Sequence, residues 1–93
     1  MAKHEAAFVV GSELGLHARP AGRFVALAGQ FQADIEVGRG DEWVDGRSIL
    51  SLLSLAASRG TTLRIRAEGA DAADALAALG ALIEDPEEPA GPA

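Results

Sequence analysis

Hydrophobic positions along this chain repeat at a spacing of two in some stretches and of about 3.6 in others, the periods of strand and helix. Residues 4–10, closing on Phe8-Val9-Val10, read as a first strand, and Gly11-Ser12-Glu13-Leu14-Gly15 as a turn-rich loop. From Ala18 to about Ala28 the stripe Phe24, Val25, Leu27, Ala28 predicts a helix. Pro20 falls in its first turn, where the missing N–H costs no internal bond, and Gly29 is placed to cap its end. Phe31, Ala33, Ile35 and Val37 alternate with Gln32, Asp34 and Glu36, a strand with one wet face. Gly38-Arg39-Gly40-Asp41 reads as a hairpin connection and Glu42-Trp43-Val44 as a short return strand. Ser48 suits the N-cap of a short helix from Ile49 to about Leu55. After the turn Ser58-Arg59-Gly60, Thr61 to Glu68 alternates with Leu63, Ile65 and Ala67 inward and Arg64, Arg66 and Glu68 outward. Asp71 is placed to cap a last helix carrying Leu76, Leu79, Leu82 and Ile83, with Asp74 near its positive end. Gly80 is expected to weaken that helix by about 1 kcal/mol relative to alanine.

The order β-α-β-β-α-β-α, with polar faces on two strands, predicts an α/β (α+β) open-faced two-layer sandwich. A four-stranded antiparallel sheet would carry three helices on one face. One domain is expected over residues 1–85, followed by a disordered acidic tail at 86–93 that holds Pro86, Pro89 and Pro92 with Glu87 and Glu88.

Composition narrows the function. The net charge of −6 argues against a general nucleic-acid binder, and no apolar run approaches the roughly 20 residues of a membrane span. Absence of cysteine excludes disulfides and thiolate metal sites and suits a reducing cytoplasm. The start of the chain lacks the apolar core of a signal peptide. Acid gathers at Glu84, Asp85, Glu87 and Glu88, whereas Arg19, Arg23, Arg47, Arg59, Arg64 and Arg66 lie in the body. A locally basic region around His17 is therefore expected within an acidic molecule.

The candidate chemistry sits in Gly15-Leu16-His17-Ala18-Arg19-Pro20-Ala21. It places an imidazole at a helix start, where unsatisfied N–H groups and the positive end of the dipole favour anions. A neutral imidazole is a nucleophile, and a phosphorylated one is an anion. The amides of Ala18 and Arg19 and the Arg19 guanidinium would stabilise that product. No metal constellation, no hydrolase triad spacing and no phosphate loop of the GxxxxGK[ST] type occurs, so no cofactor is expected. His4, at the start of a strand, reads as a solvated surface residue.

This stretch resembles the active-site signature of the histidine-containing phosphocarrier (HPr) family of the bacterial phosphoenolpyruvate:sugar phosphotransferase system. Arg47-Ser48-Ile49-Leu50-Ser51-Leu52-Leu53-Ser54-Leu55 resembles its second motif, and Ala67-Glu68-Gly69-Ala70-Asp71-Ala72-Ala73-Asp74-Ala75-Leu76 its last strand-to-helix junction. The resemblance covers residues 4 to about 84. It implies that His17 takes a phosphoryl group on Nδ1 from phospho-enzyme I and passes it to a histidine of an A-type enzyme II component, with Arg19 as charge partner. It implies docking through Ala18, Gly22, Ile49, Leu50 and Leu53. It also implies that Ser48 is a regulatory site for an HPr kinase/phosphorylase, where the organism has one. The protein is expected to be cytoplasmic and monomeric, without nucleic-acid binding or membrane insertion. Departures from the family are Ala26, Gly29 and Ser51 in regions where many members carry lysines, Ala56 where glycine is common, and the tail. Trp43 is unusual and reads as packing. Two other readings remain: a paralogue serving a regulatory, nitrogen-type phosphotransfer branch, and a non-catalytic α/β interaction domain.

Overall fold

Each alternating segment becomes a strand and each wider-spaced stripe a helix in the computed structural model, which describes residues 3–85. The tail expected at 86–93 lies outside the described residues. The elements are β1 (Lys3–Val9), α1 (Ala18–Ala28), β2 (Ala33–Arg39), β3 (Glu42–Asp45), α2 (Ile49–Ser54), β4 (Thr62–Gly69) and α3 (Ala72–Glu84). The sheet runs β1-β4-β2-β3 with every pair antiparallel. This is the α+β open-faced sandwich that the pattern predicts.

The alternation in β4 and β2 sets the register. Ile65 lies opposite Val37 and Ala67 opposite Ile35, so their apolar side chains share one face. Leu63, Ile65 and Val37 are fully buried there under Phe24 and Ala21 of α1, Leu52 of α2, and Ala75 and Leu79 of α3. On the open face the Trp43 indole is flanked by two cations. The Arg66 guanidinium lies 3.7 Å from its ring centroid and that of Arg64 4.7 Å. Arg66 donates to Glu36 at 2.6 Å, and Arg64 sits 3.7 Å from Glu5.

Packing revises three local readings and the backbone conformation behind a fourth. Gly80 is buried against β1: a Cβ there would stand 2.1 Å from the Phe8 ring, so the glycine lets α3 approach the sheet. The Asp71 carboxylate does not cap α3. It accepts the Gln32 N–H at 2.8 and 3.0 Å and ties the start of α3 to the loop before β2. Its backbone, at φ −116° and ψ 33°, departs from the extended geometry that aims a capping side chain at its own helix. Gly29 caps the end of α1 as expected, but at φ −65°, a right-handed conformation open to any residue. Gly38 and Arg39 belong to β2, leaving Gly40-Asp41 as the two-residue turn.

Two arginines reach from the β2–β3 region to backbone carbonyls elsewhere. Arg47 donates to the carbonyls of Phe31 (3.2 Å) and Ala33 (2.7 Å), beside the stretch of β2 that β3 is too short to pair. Arg39 donates to those of Leu55 (2.8 Å) and Ala56 (2.9 Å), where α2 ends. Ala56 has φ 50°, the left-handed conformation that commonly follows a helix and that a Cβ disfavours.

Two outcomes follow for stability, read by chemical denaturation. Gly80→Ala lowers it by about 1–3 kcal/mol, because the clash with Phe8 outweighs the gain in helix propensity. Ala56→Gly raises it by about 1 kcal/mol, because glycine takes the left-handed conformation without strain.

Candidate functional site

The segment before α1 is fastened at successive points. Val10 donates its N–H to the Thr61 carbonyl and accepts the Gly60 N–H, both at 2.9 Å. The Ser12 carbonyl then accepts the Gly15 N–H at 2.9 Å. Gly15 has φ +75°, and a Cβ on it would stand 2.4 Å from the Ala57 carbonyl oxygen, so only glycine suits this place. Leu16 next donates its N–H to that same Ala57 oxygen at 2.8 Å and buries its side chain, worth about 2 kcal/mol.

With Leu16 buried before it and Pro20 and Ala21 buried after it, His17 is left half-buried at the protein surface. It is the N-cap of α1, with extended backbone at φ −90°, ψ −172°. Its N–H donates to the Gly15 carbonyl at 3.0 Å, and its carbonyl accepts the first helical bond, from Ala21 at 3.0 Å. The amides of Ala18 and Arg19 therefore precede the helical ladder, and Pro20 has none to satisfy. The imidazole makes no capping bond. Among the described residues neither it nor the Arg19 guanidinium has a hydrogen-bond or ion-pair partner. No acidic residue occupies the first turn of α1. The site thus sets an imidazole at a helix head with two backbone donors, and Arg19 adds a cation two residues on; the donors and the cation favour an anion.

The Ser48 Oγ caps α2 by accepting the Ser51 N–H at 3.2 Å. Leu52 alone of this helix is fully buried; Leu53 is half-buried, Ile49 is 41% exposed and Leu50 80% exposed. The two helices meet at Gly22 and Ile49, whose Cδ1 lies 4.0 Å from where a Gly22 Cβ would be. Gly22 is half-buried, and Ala18, a turn earlier on α1, is exposed.

Two residues escaped the sequence reading. Leu14 is 78% exposed in the loop just before the site; an apolar residue amid turn formers was its only signal. Arg39, read as part of a turn, holds the carbonyl end of α2. Of the arginines in the body of the chain, three are engaged away from His17. Arg64 and Arg66 lie on the sheet's opposite face with Trp43, and Arg47 is bonded to Phe31 and Ala33. The cations carried by α1 are Arg19 and Arg23.

Among the described residues no cluster of three or more potential ligands could hold a metal ion, and no helix is long and apolar enough to cross a membrane. A family model described as the phosphotransferase-system HPr component phosphorylation site matches residues 4–85. The phosphocarrier protein HPr of Pseudomonas aeruginosa is 48% identical over 59 residues, 62% of this chain and 66% of that protein. That of Haloferax volcanii is 42% identical over 69 residues, 72% of this chain and 78% of that protein. The crystal structure of a Bacillus anthracis HPr superimposes with a TM-score of 0.85 at 38% identity, covering 89% of this chain and 99% of that one. A match spanning nearly every described element, with the His17 loop and the Ser48 helix inside it, leaves one conclusion: this chain belongs to the HPr family of phosphocarrier proteins.

Proposed function

We propose that this protein carries a phosphoryl group on Nδ1 of His17, taking it from phospho-enzyme I and giving it to a histidine of an A-type enzyme II component. The observation that carries this reading is the imidazole at the head of α1, unpartnered among the described residues and beside the Ala18 and Arg19 amides. In the transfer, the Nδ1 lone pair attacks phosphorus as the donor's phosphorus–nitrogen bond breaks, and the bonding pair returns to the donor imidazole. The phosphorylated ring gains negative charge, which the two amides and the Arg19 guanidinium offset. The same contacts serve the return step, so neither metal nor cofactor is called for in this protein; the partners supply the rest of the machinery.

The exposed Ile49 and Leu50, with Leu53, Ala18 and Gly22 around them, form the proposed landing surface for both partners. Ser48 is the proposed regulatory position. A phosphate on its Oγ would stand at the head of α2, next in sequence to Ile49 and Leu50, and would oppose docking by an acidic partner. The setting for these transfers is proposed to be the cytoplasm, with the carrier acting as a monomer.

Incubation with phosphoenolpyruvate and enzyme I is expected to give an acid-labile, base-stable label that His17→Ala abolishes; an equal label on that variant contradicts the reading. Arg19→Gln removes a charge-assisted contact and lowers kcat/KM for transfer about 10–100-fold without changing the denaturation midpoint. Leu50→Glu, at a position 80% exposed, leaves stability unchanged and lowers kcat/KM about tenfold, read by steady-state transfer from enzyme I.

A further inference from the structure

The last turn of α2 holds no basic residue of its own to face its carbonyl end. The cation comes from 16 residues earlier, where the Arg39 guanidinium donates to the Leu55 carbonyl at 2.8 Å, and a second contact reaches Ala56 at 2.9 Å. Those carbonyls flank the strained residue of the turn, Ala56 at φ 50°. The next carbonyl, of Ala57, is the acceptor of the Leu16 N–H, one residue before His17. The same oxygen lies against Gly15, whose own carbonyl accepts the His17 N–H. A continuous set of short contacts therefore runs from the hairpin to the head of α1.

We infer that Arg39 is a positioning residue for phosphoryl transfer: by clasping the turn after α2 it holds the Ala57 carbonyl where Leu16 and Gly15 need it, and so fixes His17 relative to the α2 surface. Arg39 does not touch the phosphoryl group. It acts through a left-handed turn that alanine adopts only at a cost, and a turn under strain needs an external restraint to keep one geometry. Arg47 supplies a comparison within the same molecule. It too gives its guanidinium to two carbonyls, at Phe31 and Ala33, but neither belongs to the His17 loop or to the turn that holds it.

The inference rests on His17 being the acceptor, and two readouts separate its failure from failure of that reading. The first needs no phosphorylation. Arg39→Ala is expected to speed hydrogen exchange of the Leu16 amide at least tenfold and to shift the His17 ring signals in NMR, while amides in the interior of α3 exchange as before. The second is kinetic. Arg39→Ala lowers kcat for transfer to His17 about tenfold with a smaller change in KM, Arg39→Lys recovers part of the loss, and Ala56→Gly in the Arg39→Ala background recovers more. Arg47→Ala serves as the destabilised control and leaves both readouts near wild type. Unchanged Leu16 exchange in Arg39→Ala, or equal losses in Arg39→Ala and Arg47→Ala, would overturn the inference. Wild-type protein that takes no phosphate would sink the acceptor reading, yet the exchange result would still judge Arg39.

Discussion

One hydrogen bond, from the Leu16 N–H to the Ala57 carbonyl at 2.8 Å, joins the two halves of the candidate site. On one side of it is the loop that ends in His17, and on the other the turn that ends α2. Its length depends on Gly15 having no side chain, because a Cβ there would meet the same oxygen. It also depends on Ala56 holding a conformation that favours glycine. A buried Leu16 side chain then turns the next residue, His17, toward solvent. The site is consequently rigid where it must aim and unencumbered where it must react: its backbone is bonded on both sides, yet its imidazole has no partner among the described residues.

The sheet keeps charge away from this corner. Arg64 and Arg66 are committed to Trp43, Glu5 and Glu36 on the open face, and Arg47 to the carbonyls beside β2. The helical side presents α1, whose first turn carries Arg19 and no acid, and the apolar Ile49 and Leu50. An acidic molecule can thus offer a small site for an anion, because the backbone and one guanidinium supply the positive potential locally. Screening by salt limits the reach of such a field to about 10 Å, so contact surface rather than long-range steering would govern docking.

The parts of this architecture that follow from local period were legible in the chain. Alternation placed β2 and β4, Pro20 marked the first turn of α1, and Ser48 caps α2 as its residue type suggests. What stayed hidden were choices made by tertiary partners. Asp71 has the chemistry of a cap, but the Gln32 amide competes for its carboxylate and wins. Gly80 looks like a weak point in a helix until Phe8 of β1 is brought against it. Arg39 looks like a turn residue because its acceptors lie 16 and 17 residues away. For the site itself, the motif around His17 carried the chemistry, while the exposure of Leu50 and the burial of Leu52 could not be told apart before α2 was oriented.

The central claim concerns one nitrogen atom, and phosphorus–nitrogen correlated NMR on protein with isotope-labelled histidine addresses it directly. After incubation with phosphoenolpyruvate and enzyme I, the account predicts a single phosphoryl signal coupled to Nδ1 of His17, with the His4 ring unchanged. Phosphorus coupled to His4, to Nε2 of His17, or to no histidine nitrogen at all would contradict it.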